Sequence, residues 1–127
     1  MKISTVIIIS IIAAIVIILS AFYMYAMDSP YRISSEDAKK RIQYRTIDVV
    51  LDVRTDLEVS TLGKYPGSVH IQSGDLEKML PMEVPDKKAR ILAYCNSGQR
   101  ARLATEKMHR MGYENAVYIA GGYWSLL

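Results

Sequence analysis

Hydrophobic and polar positions divide the chain into one long apolar block and a series of short alternating pieces. From Ile3 to Met27 no charged residue occurs, and Ile, Val, Ala and Leu dominate a run longer than the ~20 residues a helix needs to cross a bilayer. Asp28-Ser29-Pro30 ends it. Tyr31-Arg32-Ile33 predicts a short first strand, and Ser34, with Asp37 three residues on, predicts the N-cap of a helix over 35–45. Ile47 to Val53, rich in β-branched residues, predicts a buried parallel strand. A turn at Tyr65-Pro66-Gly67 leads to a short strand over 68–71, and a short helix over 75–80 is expected to stop at Pro81. Strand 89–94, helix 101–111 with Gly112 as its C-cap, and strand 116–119 complete the pattern. Such alternation predicts an α/β fold, a parallel central sheet with helices on both faces, preceded by one transmembrane helix. The division expected is a transmembrane anchor at 1–27, a short linker at 28–32 and one domain at 33–127.

Length and charge refine this picture. With 127 residues there is room for one domain beside the apolar block. A cleaved signal peptide is the competing reading of that block, but its apolar core exceeds the usual ~7–15 residues, only Lys2 precedes it, and small-x-small cleavage sites are poor. A retained single-pass anchor is therefore expected, with Tyr23 and Tyr25 at the membrane interface. Arg32, Lys39, Lys40, Arg41 and Arg45 follow the block closely, so the positive-inside bias points the domain to the cytosol. Of 16 Lys and Arg, one precedes the block, leaving 15 against 13 Asp and Glu in the domain. That near balance gives no reason to expect nucleic acid. His70 and His109 lack the spacing of metal ligands and the chain has one cysteine, so no metal is implied. Gly121-Gly122 is not a dinucleotide fingerprint, so no cofactor is implied either, and it reads as a tight turn letting backbone approach its neighbours.

The candidate chemistry lies at Cys95, which opens the loop Cys95-Asn96-Ser97-Gly98-Gln99-Arg100 between a strand and a helix. Loop amides turned inward, the start of the helix dipole and the Arg100 guanidinium would all favour thiolate over thiol. Asp52, Arg54 and Cys95 fall at the carboxyl ends of expected strands, where ligands bind in open parallel sheets. Asp52 and Arg54 are expected to form a supporting ion-pair network with Glu58 or the loop backbone.

These residues resemble the rhodanese (sulfurtransferase) domain, whose active loop reads Cys-x-x-Gly-x-Arg and is matched by Cys95, Gly98 and Arg100. Leu51-Asp52-Val53-Arg54 is similar to the family's Asp-x-Arg strand end, the Gly63 to Ile71 segment to its Gly-His-x-Pro-Gly-Ala run, and Ala120-Gly121-Gly122 to its closing Gly-Gly. The resemblance implies a rhodanese-like domain from about Ile33 to Leu127. It implies a sulfurtransferase moving a sulfane sulfur from thiosulfate or a persulfide donor through a persulfide on Cys95, with Cys95 and Arg100 as catalytic residues. Asn96, Ser97, Gly98 and Gln99 are then the substrate-binding residues, and Asp52, Arg54 and Lys64 the supporting ones. The partners expected are a small sulfur-containing anion or a protein persulfide, and the membrane. Departures bear on the substrate: Asn96 stands where many active members carry Arg, Lys64 where His is usual, and Leu126 where Trp is common. Asn96 is expected to contribute only its backbone. Two other readings compete. A phosphatase or arsenate reductase would need the longer Cys-x5-Arg loop, whereas a persulfide carrier or non-catalytic binding module is compatible with Asn96.

Overall fold

The computed structural model describes residues 2–127. Helix α1 (Ile3–Met27) is followed by α2 (Ser35–Gln43), β1 (Val49–Asp52), α3 (Asp56–Leu62), β2 (Val69–His70), α4 (Leu76–Glu83), β3 (Ile91–Tyr94), α5 (Gln99–Arg110) and β4 (Val117–Tyr118). All strand pairs are parallel, in the order β2-β1-β3-β4. Leu51 pairs with Val69 on one side and Ala93 on the other, so β1 and β3 form the centre.

Side-chain alternation along these strands builds two cores. Leu51, Val53, Ile91 and Ala93 face one way, onto Leu76 and Leu80 of α4 and Ala101, Ala104 and Met108 of α5. Leu92, Tyr94 and Val50 face the other way, onto Ala38 and Ile42 of α2 and onto Tyr123 and Leu126 of the closing 3-10 turn. Helical elements thus cover both faces, as the apolar β runs require.

Several local features differ from the sequence expectation. The strand at 31–33 shrinks to a single bridge between Arg32 and Tyr118, because Ser34 already caps α2 by accepting from the Asp37 amide at 3.0 Å. Pro81 does not stop α4, which continues to Glu83. Its missing N–H leaves only the carbonyl of exposed Glu77 without a helical donor, which solvent can supply, while Leu76 and Leu80 stay buried. Helix α3 occupies a segment where hydrophobic periodicity gives no element; its signal is the capping box, Thr55 accepting from the Glu58 amide while Glu58 accepts from the Thr55 amide. Helix α5 starts at Gln99, two residues earlier than expected, with Gly98 as N-cap. It ends at Arg110 with Met111 as C-cap, and Gly112, at φ 97°, follows the cap instead of occupying it as expected.

Helix α1 is 25 residues long and contains an 18-residue stretch of mean hydropathy 3.0, long and apolar enough to cross a bilayer. Its last turn packs on the domain. Ala26 is 1 % exposed, and the terminal carbonyls that a helix leaves unpaired are taken by domain donors. Tyr118 Oη donates to Ala26 O at 2.6 Å, Arg32 Nε to Met27 O at 2.9 Å, and the Arg102 guanidinium to Tyr25 O while lying 4.2 Å from the Tyr25 ring centroid. Contacts therefore cross the boundary drawn at residues 27 and 28.

Candidate active site

The strand ends bring the distant motifs together. β3 delivers Cys95 directly after Tyr94, and the chain reverses through Gly98, whose φ of 96° lies in the left-handed region open to glycine. A Cβ there would also come within 2.8 Å of Ala120 Cα and 3.0 Å of Ala26 Cβ, so both the Gly-Gly segment and α1 press on this point. The Gly98 amide donates to Cys95 Sγ at 3.0 Å. Gln99, Arg100 and Ala101 follow in the first turn of α5, where amides have no intrahelical acceptor. Sulfur thus accepts the Gly98 amide and lies beside a helix start, an arrangement that favours an anion or a developing one. Cys95 itself is only 1 % exposed.

Beneath the loop lies a buried ion pair. Asp52 and Arg54 side chains are both inaccessible, and Arg54 donates to Asp52 from Nε at 3.0 Å and from Nη2 at 2.7 Å. The Arg54 amide adds a hydrogen bond to Asp52 at 3.0 Å and Tyr94 Oη another at 2.6 Å. Burial pushes the Asp52 carboxyl up, but the hydrogen bonds from Arg54 and Tyr94 win and hold it below the usual range. Burial and the hydrogen bond to Asp52 together push the Tyr94 phenol up to about 12. The remaining Arg54 donors reach Gly63 O at 2.6 Å and Asn96 Oδ1 at 3.3 Å, and its guanidinium lies 5.5 Å and 5.4 Å from the Tyr94 and Tyr123 ring centroids.

Glu58 forms the second pair, and not with Arg54. Arg100 grips it with both terminal nitrogens, Nη1 to Oε1 at 2.5 Å and Nη2 to Oε2 at 2.8 Å. The Arg100 bonds, with further help from Thr55, hold the Glu58 carboxyl down at about 2. Asn96 joins the two pairs: its Nδ2 donates to Glu58 Oε2 at 2.6 Å while its Oδ1 accepts from Arg54. One expectation is therefore corrected: the Asn96 side chain bridges the two pairs, so Asn96 contributes more than its backbone. Arg100 is paired with Glu58, which α3 places against it.

The other expected residues separate. Ser97 is exposed and donates to Gln99 Oε1 at 2.5 Å, and Gln99 Nε2 reaches Phe22 O of α1 at 3.4 Å. Lys64 is exposed and makes no hydrogen bond or ion pair among the described residues, although its neighbours Gly63 and Tyr65 both contact the buried network. His70 Nε2 meets Arg54 O at 2.7 Å, and His109 stacks on Tyr31 with ring centroids 3.7 Å apart. Helix α1 and Tyr94 are parts of this neighbourhood that motif reading does not reach.

Residues 34–125 match the family model described as rhodanese-like domain. The chain belongs to that family. Among curated relatives, thiosulfate sulfurtransferase/rhodanese-like domain-containing protein 3 of Mus musculus is 27% identical over 106 residues, covering 75% of this chain and 67% of the relative. The tRNA uridine(34) hydroxylase of Erwinia tasmaniensis is 33% identical over 78 residues, 58% of this chain but 22% of its own length. Among solved structures, a protein of unknown function from Rhodopseudomonas palustris, described as a possible tyrosine phosphatase, superposes with TM-score 0.69 at 26% identity, covering 84% of this chain and 86% of that one. The human single-domain sulfurtransferase superposes with TM-score 0.66 at 23% identity over 76% of this chain and 95% of its own, a likeness of fold. Sulfurtransferases among the rhodanese-domain relatives support a sulfur-transfer role.

Proposed function

We propose that this rhodanese-like chain is a membrane-anchored sulfurtransferase that carries sulfane sulfur on Cys95. The observation that carries the reading is the Gly98 amide on Cys95 Sγ at 3.0 Å, at the start of α5 and inside a Cys-x-x-Gly-x-Arg loop. The Cys95 thiolate attacks the outer sulfur of thiosulfate or a persulfide; the S–S bond of the donor breaks, and sulfite or the donor thiolate leaves with its electron pair. A thiophilic acceptor then removes the outer sulfur and returns Cys95 to thiolate. No general base is needed, and ping-pong kinetics follow. Loop amides stabilise the persulfide anion as an oxyanion hole stabilises developing charge. The Cys-x4-Arg spacing is one residue short of the Cys-x5-Arg loop of phosphatases and arsenate reductases, which disfavours a tetrahedral oxyanion substrate.

Arg100 held by Glu58, together with the near-complete burial of Cys95, favours a second reading within the same chemistry: a persulfide carrier fed by a protein or small persulfide in place of thiosulfate. We read α1 as a retained anchor, with the basic residues after it placing the domain on the cytosolic side. The domain then extends from about Ile33 to Leu127, with the last turn of α1 packed as part of it. Intact mass of the full chain after exposure to thiosulfate, and separately to a persulfide, should rise by one sulfur atom, and Cys95→Ser should abolish the gain. A gain in Cys95→Ser, or none in the wild type with either donor, refutes the mechanism.

A further inference from the structure

Leu19, Phe22 and Tyr23 of α1 and Ser97 and Gln99 of the active loop line a groove of about 490 Å3. The α1 wall is apolar and open, its three side chains 61, 53 and 65% exposed. The loop wall is polar, and its two residues flank Gly98, whose amide touches Cys95 Sγ. Loop and helix are fixed to each other here by Gln99 on Phe22 O and by the contact of Gly98 with Ala26. About 20 residues cross the hydrocarbon layer, so a span entering at Ile3 leaves it near Phe22. Leu19 and Phe22 then stand at the hydrocarbon edge and Tyr23 among the headgroups, which puts the groove at the membrane surface with its apolar wall toward acyl chains. A small hydrated anion gains nothing from such a wall. A molecule with an alkyl chain and a sulfur head matches both sides.

We propose that this groove seats the alkyl chain of an amphiphilic thiol, which accepts sulfur from the Cys95 persulfide at the membrane surface. The proposal rests on the anchored, persulfide-forming reading above. The acceptor thiolate attacks the outer sulfur of Cys95–S–SH; a new S–S bond forms, the old one breaks, its electron pair remains on Cys95 as thiolate, and the proton leaves with the product hydropersulfide. No oxidant or reductant is consumed.

The test loads full-length protein in phosphatidylcholine vesicles with persulfide and follows discharge by intact mass, using 2-mercaptoethanol and decanethiol as acceptors. Decanethiol should discharge the wild type at least about tenfold faster, since each buried methylene favours binding several-fold. The Leu19→Ala/Phe22→Ala double variant should lose most of that advantage and keep its 2-mercaptoethanol rate. Leu19→Trp, which fills the groove instead of widening it, should lose the advantage too. Partitioning into the bilayer alone would give all three proteins the same preference, and that result overturns the groove while leaving the sulfurtransferase reading intact. Failure of Cys95 to load with any donor overturns both, and the mass spectrum separates the two failures.

Discussion

Two Asp–Arg pairs bracket β1 and put the same chemistry in opposite settings. At its start, Asp48 accepts from the Arg90 amide at 2.8 Å, Nε at 2.9 Å and Nη2 at 2.8 Å, with side chains 42% and 45% exposed. At its end, Asp52 and Arg54 make an equally multidentate pair with no exposure at all. Hydrogen bonds from Arg90 hold the Asp48 carboxyl down at about 2, and water screens much of what that is worth. Asp52 has lost its water, so its charge depends wholly on Arg54 and Tyr94. The same pair is a surface clasp at the amino end of the sheet and a scaffold at the carboxyl end, where Arg54 passes its remaining donors to Gly63 and Asn96 beneath the active loop.

Breaking the buried pair should have the largest effect. Arg54→Ala leaves Asp52 charged and uncompensated, a loss of about 3–5 kcal/mol by precedent for buried pairs. At roughly 4–8 °C per kcal/mol for a domain of this size, the thermal midpoint should fall by more than 12 °C, read by circular dichroism on the full chain in detergent. Replacing both partners, Asp52→Leu with Arg54→Met, should be less damaging than Arg54→Ala. A double variant worse than the single would mean that the pair stabilises through its charges and not merely through being complete.

The half-buried Glu58–Arg100 pair comes next. Glu58→Gln removes the bidentate clamp on Arg100 and should lower kcat/KM for sulfur transfer about tenfold, the scale of a lost charge-assisted contact. The pH dependence is specific. The Glu58 carboxyl lies at about 2 in the fold against an ordinary 4.5, so its stabilisation is complete above pH 4.5 and drains away as pH falls toward 2. The stability gap between wild type and Glu58→Gln should close over that window. A gap unchanged from pH 6 to pH 2 would show that Glu58 acts by shape and not by charge.

The contrast also explains what could be read in the amino-acid sequence. The strands of β1 and β3 and the loop at Cys95 were legible because apolar β-branched runs and the Cys-x-x-Gly-x-Arg spacing are local signals. Helix α3 escaped because its seven residues show little periodicity, and the Thr55-x-x-Glu58 capping box is its one clear mark. The partner of Glu58 was not readable, since both Arg54 and Arg100 lie near in the fold and only the α3 orientation selects Arg100. Contact of α1 with the domain was hidden for a related reason. Composition marks α1 as apolar, but the carbonyls of Tyr25, Ala26 and Met27 are backbone acceptors that any sequence possesses.

Asn96 links the two pairs and should show an intermediate effect. Asn96→Ala leaves Arg54 Nη1 without its hydrogen-bond partner and takes one of two donors from Glu58 Oε2, which should cost about 1 kcal/mol of stability. In sulfur transfer it should cost less than Glu58→Gln, because Arg100 keeps both of its bonds to Glu58. Equal losses in kcat/KM for the two variants would indicate that Asn96 touches substrate or partner directly.

The smallest effect belongs to the exposed clasp. Asp48→Asn keeps the size of the side chain and much of its hydrogen bonding to the Arg90 amide, and removes a charge that solvent already screens. Its cost should be no more than about 1 kcal/mol and should shrink further between low salt and 1 M salt, where the screening length falls to about 3 Å. Arg54→Ala, buried beyond the reach of salt, should show nearly the same loss at both ionic strengths. Urea unfolding of both variants at the two salt concentrations makes the comparison direct. If Asp48→Asn proved as costly as Arg54→Ala, or if salt moved both equally, burial would not be what separates the two ends of β1, and the scaffold role given to Asp52 and Arg54 would lose its physical basis.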